Sequence, residues 1–584
     1  MKPFALLAVV ICGLLAGCGR GQTDGEARAQ STAIADATPI AVDLIMNENP
    51  RAPLAAVLSL SGEDYDSVAL NLTATDHSLA LAFSKGDHLS QDDNRIIFPV
   101  VGLRANQIYE GVAIVTPSGG GEKLRLSVGA LSTPALPNDR YAWPAMSIKK
   151  ADAERMEPGL TVLSVRRHIQ ERPQLRSKEQ TQFMTQWGLL IALDNEGEVV
   201  WYYEADRRIA GVEQLTNGNI LYQLSDSRTV EINWLGETLR QFYAENRPQG
   251  PMDDPTATAI AGIQTLHHQP HETARGVFLS FSANARFIEN WYTNEYDPGP
   301  RKTQNVMGDT IIEFSEEGEI LWSWNAWDYL DPFQIGYEAF DPYWTTRGFP
   351  DTWDWTHGNG VTHDGRDDSV VASFKLLDAI IKIDRESKDM KWIFGDHIGW
   401  SEEYQHLLLT PIGGGFRWPY HQHNPRWTHA GTLLVFNNNR GQTKPFDGRE
   451  QVPYEQTYSY TVEYEIDEEA GTVRQVWISE PEMTDESCVS FAMSEAHRLP
   501  QTDNILEINA QCGPIGVEGA TWDPWILDKP HIAEMPRGGR VREYTRTSPA
   551  DVVFEARFED PSQVINWEVY GGYRTPHPFL AAVE

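Results

Sequence analysis

The chain has 584 residues, of which 41% are hydrophobic and 10% aromatic, enough for a large buried core. Its formal net charge is −35 with no basic block anywhere, which argues against nucleic acid as a partner, because phosphate binding needs clustered Lys and Arg. The acidity reads first as a means of staying soluble.

At the N-terminus Lys2 precedes an apolar run over residues 4–15, too short to span a bilayer as a permanent helix, so residues 1–17 are expected to be an export signal. Leu15-Ala16-Gly17-Cys18 resembles the lipobox of bacterial lipoproteins, in which the cysteine is lipidated and becomes the new N-terminus. Gly19 rather than Asp follows Cys18, which by the same resemblance implies an outer-membrane lipoprotein on the periplasmic side of the cell envelope. Residues 18–39 are polar and rich in small side chains, and read as a flexible tether.

Residues 40–140 alternate short apolar runs, such as Val68-Ala69-Leu70-Asn71-Leu72, with polar turns, a pattern that predicts a small β-sandwich. Pro134-Ala135-Leu136-Pro137 through Pro144 reads as a linker. Beyond it one phrase repeats: a strand, a polar turn and a second strand ending near Trp. Copies run from Leu190 to Trp201, Ile311 to Trp322, Ile380 to Trp392 and Val462 to Trp477, with a shorter variant from Val230 to Glu237. A second phrase, Leu215-Thr216-Asn217-Gly218-Asn219-Ile220-Leu221, recurs loosely near Ala430 and Leu499. Alternating hairpins with almost no convincing helix predict an all-β fold, a six-bladed β-propeller over residues 160–584. A long two-sheet sandwich explains the Trp-ended hairpins less well.

Besides Cys12 and Cys18 the chain holds only Cys488 and Cys512. In an exported protein these two are expected to form a disulfide, and no CxxC-type metal spacing is present.

Three histidine clusters lie beside predicted strands: Leu266-His267-His268-Gln269, Thr356-His357-Gly358-Asn359 and Tyr420-His421-Gln422-His423-Asn424. In a propeller the innermost strands of different blades converge at the axis, so these clusters can form one site. A metal centre lacks any local ligand spacing such as HExxH, although ligands from separate blades need none. With 16 histidines in the chain, some clustering without a shared task is also expected. A covalent site, in which one imidazole attacks and others steady the developing charge, accounts for the neighbours Asn359, Lys375 and Arg426.

The stretch Trp355-Thr356-His357-Gly358-Asn359-Gly360-Val361, followed by Asp367-Asp368-Ser369, Lys391-Trp392-Ile393-Phe394-Gly395 and Gln422-His423, resembles the signature of bacterial aryl-sulfate sulfotransferases. The similarity runs from about residue 180 to 510, and the layout of a small sandwich before a six-bladed propeller is similar too. The resemblance implies a PAPS-independent enzyme without cofactor or metal. It would move a sulfuryl group from a phenolic sulfate donor to a phenol acceptor in a ping-pong cycle. By the same resemblance His423 matches the nucleophile, His357 the histidine that contacts the sulfuryl oxygens and assists the leaving phenolate, and His268 a third active-site histidine. His267 is expected to face the other side of its strand or to contact substrate, and Asn359 to orient a neighbour or donate to an oxygen.

Where the family carries an arginine this chain has Lys375, which keeps the charge but loses the planar fork. Arg426 or Arg301 is a candidate replacement. Tyr420, with Trp355, Trp418 and Trp427, is a candidate wall for a phenol ring. A homodimer is compatible with the sequence. The alternatives are a non-catalytic ligand- or protein-binding propeller and a metal-dependent hydrolase or oxidoreductase on the same fold.

Overall fold

The computed structural model describes residues 40–62, 65–84, 86–92, 95–119, 121–273 and 277–579. The expected export signal, Cys18 and the tether therefore lie outside the described residues.

The protein is all-β. Among the described residues there is a single α-helix, Lys178–Thr185, started by a capping box in which Ser177 and Gln180 satisfy each other's backbone N–H. The chain begins with two four-stranded sheets. In Ser78–Ser84 the apolar residues Leu79, Leu81 and Phe83 are buried while their neighbours face water, the period-two pattern of a half-buried strand. Those side chains meet Leu58 and Phe98 of the other sheet in one core. Residues 133–144 carry no strand.

The repeated phrases all form antiparallel hairpins. Gly188–Leu193 pairs with Val199–Ala205, Arg228–Ile232 with Thr238–Ala244, and Ala379–Asp384 with Met390–Phe394. Arg301–Phe314 pairs likewise with Ile320–Asn325, and Tyr460–Asp467 with Thr472–Ile478. The last four lie in sheets headed by Ile209–Gln214, Gly358–Asp364, His267–Glu272 and His423–Trp427 respectively. A nine-stranded sheet holds the two ends of this region. In it Ile565–Thr575 pairs with Leu160–Ile169, so one of the last segments of the chain heads the first ladder. Ala145–Ala151, which carries no recognisable hairpin phrase, adds to Val552–Glu559 at the other edge.

The innermost strands pack side by side in a closed circuit. Ile209–Gln214 lies against His267–Glu272, which lies against Gly358–Asp364, then His423–Trp427, then Glu495–Arg498, and Ile565–Thr575 closes the circuit. The tryptophans that end the hairpins explain their recurrence, because several reach across to the next sheet. Trp201 Nε1 donates to the Trp234 carbonyl at 2.8 Å, Trp322 to Arg385 at 2.9 Å, and Trp477 to Thr547 at 3.0 Å. A disulfide joins Cys488 to Cys512 and fixes the segment that leads into Glu495–Arg498.

Close approach at the axis constrains the sequence. A Cβ on Gly360 would lie 2.5 Å from the Asn424 Cα, a backbone atom that cannot swing away. Gly360→Ala should therefore force His423–Trp427 away from Gly358–Asp364. Overpacking of this kind costs about 1–3 kcal/mol, and we expect a lowered urea midpoint together with loss of whatever activity needs His357 beside His423.

Candidate active site

All three histidine clusters sit where the chain enters an innermost strand. His267 and His268 open His267–Glu272, His423 opens His423–Trp427, and His357 stands one residue before Gly358–Asp364. The ladder slips at each entry, between His267 and His271, Gly358 and Gly360, and His423 and Arg426. Such bulges re-aim a side chain. His268 and His357 reach their positions in left-handed backbone, with φ of 65° and 48°. That conformation costs a non-glycine residue about 1–2 kcal/mol, which the surrounding packing must offset. The result is a cluster: the His268 ring centroid lies 5.2 Å from that of His357 and 5.8 Å from that of His423.

His423 is buried, and its Nδ1 lies 2.8 Å from the Ser494 carbonyl. A carbonyl only accepts, so the ring hydrogen is on Nδ1 and Nε2 keeps its lone pair. The Tyr570 hydroxyl stands 3.5 Å from that nitrogen, too far to tie it up. Burial pushes the His423 pKa down to about 3, so the imidazole is neutral near pH 7.

His357 has the opposite arrangement. Its Nδ1 is 2.5 Å from Asp354 Oδ2, and Trp344 Nε1 steadies the other oxygen at 2.8 Å. Burial alone would raise the Asp354 pKa, but the His357 imidazole beside it and its hydrogen-bond donors hold it below the ordinary value. Burial still outweighs Asp354 at His357, whose pKa is lowered. His267 and His268 share a contact of 2.7 Å between their Nδ1 atoms, and Asp309 lies 3.1 Å from His267 Nε2. Burial, followed by the neighbouring imidazoles, keeps His268 well below its usual pKa.

Lys375 follows Ser369–Phe374, and its backbone N–H donates to the His357 carbonyl at 3.1 Å. Its ammonium pairs with Glu338, which also receives Arg440. One carboxylate thus serves two cations, while Asp354 keeps its own negative charge against the neutral His357.

These groups line one cavity of about 620 Å³, within the usual range for small-molecule sites. His267, His268, His357, His423 and Lys375 all face it, so His267 does not turn to the far side of its strand. Asn359, Arg426 and Tyr420 are not part of its lining. Instead, Asn359 Nδ2 donates to the Gln422 carbonyl at 2.7 Å and stitches two innermost strands together. Arg426 pairs with Glu213 at 3.3 Å and Glu495 at 3.6 Å, and Tyr420 donates to Asp396 at 2.6 Å. Arg301 stacks on Tyr292 at 3.7 Å, outside the lining. Trp355, Trp418 and Trp427 pack on Trp327, Phe394 and Arg366 respectively. Among the described residues, one acidic group has metal-like spacing: Asp364, Asp367 and Glu468. They surround the Lys382 ammonium at 2.9, 2.9 and 2.6 Å.

Several lining residues escaped the sequence reading. Tyr343, Trp344 and Arg347 come from the connection between Ile320–Asn325 and Thr352–Asp354, and Tyr570 from near the chain's end. Arg208 occupies the entry to Ile209–Gln214, the position equivalent to His357 in its own sheet. Extending the repeat by position rather than by residue type would have found it.

A family model for arylsulfotransferase (ASST) matches residues 145–560. The chain belongs to the arylsulfotransferase family. It is 24% identical over 328 residues to arylsulfate sulfotransferase AssT of Escherichia coli O6:H1, covering 49% of this chain and 51% of that protein. To AssT of Lelliottia amnigena it is 27% identical over 213 residues, 30% of this chain and 35% of that one. The chain thus spans about half the length, or less, of these curated relatives. Among solved structures, a protein of unknown function from Bacteroides caccae aligns with a TM-score of 0.34 at 12% identity, over 70% of this chain and 99% of that chain.

The electrostatics of this arylsulfotransferase-family site can be checked directly. With histidine labelled at Cε1, the His423 resonance should not titrate between pH 8 and pH 5, because the depressed pKa of about 3 keeps the ring neutral there. An ordinary imidazole passes its midpoint near pH 6.5. A midpoint for His423 at or above pH 6.5 would show that the ring is not held neutral by burial.

Proposed function

We propose that the protein is an aryl-sulfate sulfotransferase acting through a sulfated His423. The observation that carries this reading is the His423 geometry: a neutral, buried imidazole that lines the cavity, donates its Nδ1–H to the Ser494 carbonyl and keeps the Nε2 lone pair free. A neutral nucleophile avoids repulsion from an anionic sulfate ester, and a fixed tautomer avoids the cost of orienting it. Family membership supports the same reaction class.

In the first half-reaction Nε2 of His423 forms a bond to sulfur as the ester S–O bond breaks and a phenolate leaves. The ring becomes a sulfated imidazolium whose remaining N–H stays on the Ser494 carbonyl. His357 supplies the leaving oxygen with a proton from Nε2, its Nδ1–H being held by Asp354. Binding of the anionic donor opposes the burial that otherwise keeps His357 neutral, and so loads this proton. In the second half an acceptor phenol attacks the sulfur, returns its proton to His357 and releases His423. Lys375 and His268 face the sulfuryl oxygens and steady the charge gathering on them. Asn359 and Arg426 serve as supports that fix the innermost strands, and the cycle uses no cofactor.

The architecture we propose is a β-sandwich over residues 40–140 followed by a six-bladed propeller over residues 160–584. The closed circuit of innermost strands, ended by Ile565–Thr575, supports it. The lipobox-like Leu15-Ala16-Gly17-Cys18 supports an outer-membrane lipoprotein facing the periplasm.

His423→Ala should abolish both cleavage of a chromogenic aryl sulfate and transfer to phenol, and quenching the wild type with donor alone should leave one sulfuryl group on the peptide containing His423. Release that needs no acceptor would indicate a sulfatase, and wild-type cleavage by His423→Ala would remove the assigned nucleophile. Asp354→Asn should lower kcat by about two to four orders of magnitude, as loss of a histidine-orienting carboxylate does in other catalytic sites. The loss should be greatest for donors with poor leaving groups, measured across a series of substituted phenyl sulfates.

A further inference from the structure

The cavity holds cations that the sulfuryl step does not use. Arg166, Arg176, Arg208 and Arg347 all line it, and among the described residues none of the four has an ion-pair partner. Their hydrogen bonds go to neutral groups. Arg166 donates to the Ile209 carbonyl at 2.6 Å and the Met493 sulfur at 3.0 Å, Arg176 to the Glu171 carbonyl at 2.8 Å, and Arg347 to the Tyr343 carbonyl at 2.9 Å. Buried Nε of Arg208 has no partner at all among the described residues.

The carboxyl groups lining the cavity do not cancel this charge. Glu338 is held by Lys375 and Arg440, Glu568 by Arg537 and Asp226 by Arg228, while Asp354, beside the neutral His357, leaves one negative charge against four guanidiniums. Asp341 is pushed well above the carboxylate range by burial and by Glu295. The guanidiniums also face one space: burial lowers Arg208 most, and the charges of Arg166 and Arg347 lower it further.

Their placement is ordered relative to the histidines. The Arg166 guanidinium stacks on Tyr570 at 4.2 Å, and the Tyr570 ring lies 5.5 Å from that of His423. Arg347 stacks on Tyr343 at 3.5 Å, and Tyr343 lies 4.5 Å from His357. Each guanidinium therefore stands one aromatic ring behind a histidine. A phenyl group lying along these tyrosines with its sulfate at His423 would carry its far end toward the arginines.

We infer that the aryl substrate bears a second ionised oxyanion group, across the ring from the sulfate ester, which Arg166, Arg176, Arg208 and Arg347 hold. The inference rests on reading this cavity as a sulfuryl-transfer site. Carboxylate and sulfonate share the chemistry, since both present oxygens that a planar guanidinium fork grips in pairs.

Initial rates with 4-carboxyphenyl sulfate, 4-sulfonatophenyl sulfate and the methyl ester of the first test it. We expect kcat/KM at least about tenfold higher for an ionised ester than for the methyl ester, matching the strength of charge-assisted hydrogen bonds. This should hold even though 4-carboxyphenolate is the poorer leaving group. Preference for one ionised form over the other identifies the oxyanion. In Arg208→Gln and Arg347→Gln, which alter separate segments, the ratio should fall toward one.

Equal rates for charged and uncharged esters in the wild type would overturn the inference while leaving sulfuryl transfer intact. So would variants that slow every ester by the same factor, since the arginines would then serve the sulfuryl group itself. Calorimetry with 4-hydroxybenzoate and its methyl ester needs no turnover. Tighter binding of the acid, lost in Arg208→Gln, supports the anion site even if no sulfate is cleaved, and equal binding overturns it.

Discussion

The site depends on how closely the innermost strands approach one another. Gly360 lies against the Asn424 backbone, and Asn424 in turn donates to Gln269 at 2.9 Å, so three neighbouring sheets are locked at one level. Residues at equivalent strand entries must then converge, whatever their separation in sequence. His268, His357 and His423 meet within 6 Å or less of a neighbouring ring for this reason. The left-handed backbone at His268 and His357 is tolerated because the packed strands on either side leave no other path.

Burial then decides what each imidazole does. Burial holds the His423 pKa at about 3 even with the attraction of nearby Glu495 included, so the ring stays uncharged at neutral pH. His423 is thereby suited to attack and unsuited to act as a cation. The same desolvation lowers His357, but Asp354 sits on its Nδ1 and pulls the other way. His357 and His423, each next to His268, thus differ by a carboxylate behind one and a carbonyl behind the other. That separation of environments, rather than the residue type, is what the proposed attack by His423 and proton transfer by His357 would use.

The hairpins were readable because each closes a local turn between alternating apolar runs, and the tryptophan that ends many of them marks a tie to the next sheet. The histidine clusters were readable because imidazole is rare and chemically versatile. Arg208 was not, although it holds the same entry position, since arginine on an acidic surface draws no notice without the repeat register. Arg347 and Tyr343 lie in a connection with no periodic pattern, and Tyr570 reaches His423 only because Ile565–Thr575 closes the circuit. Asn359, Arg426 and Tyr420 stood beside the right motifs, yet their side chains turn into the strand framework. Adjacency in sequence could not distinguish the two sides of a strand entry.

Lys375 stands where the family resemblance implies an arginine, and its surroundings show what the exchange does. A lysine is a compact point charge that cannot span two sulfuryl oxygens as a fork does. Here it shares Glu338 with Arg440, so the charge presented to the cavity belongs to the trio rather than to Lys375 alone. Such a field is broad and weakly directional. It can steady charge on sulfuryl oxygens but selects poorly among esters of different shape. Directional recognition must then come from forks elsewhere on the wall, and the guanidiniums backed by Tyr343 and Tyr570 are the groups built for it. On the proposed reading, discrimination among esters falls to the far end of the ring rather than to the group being transferred.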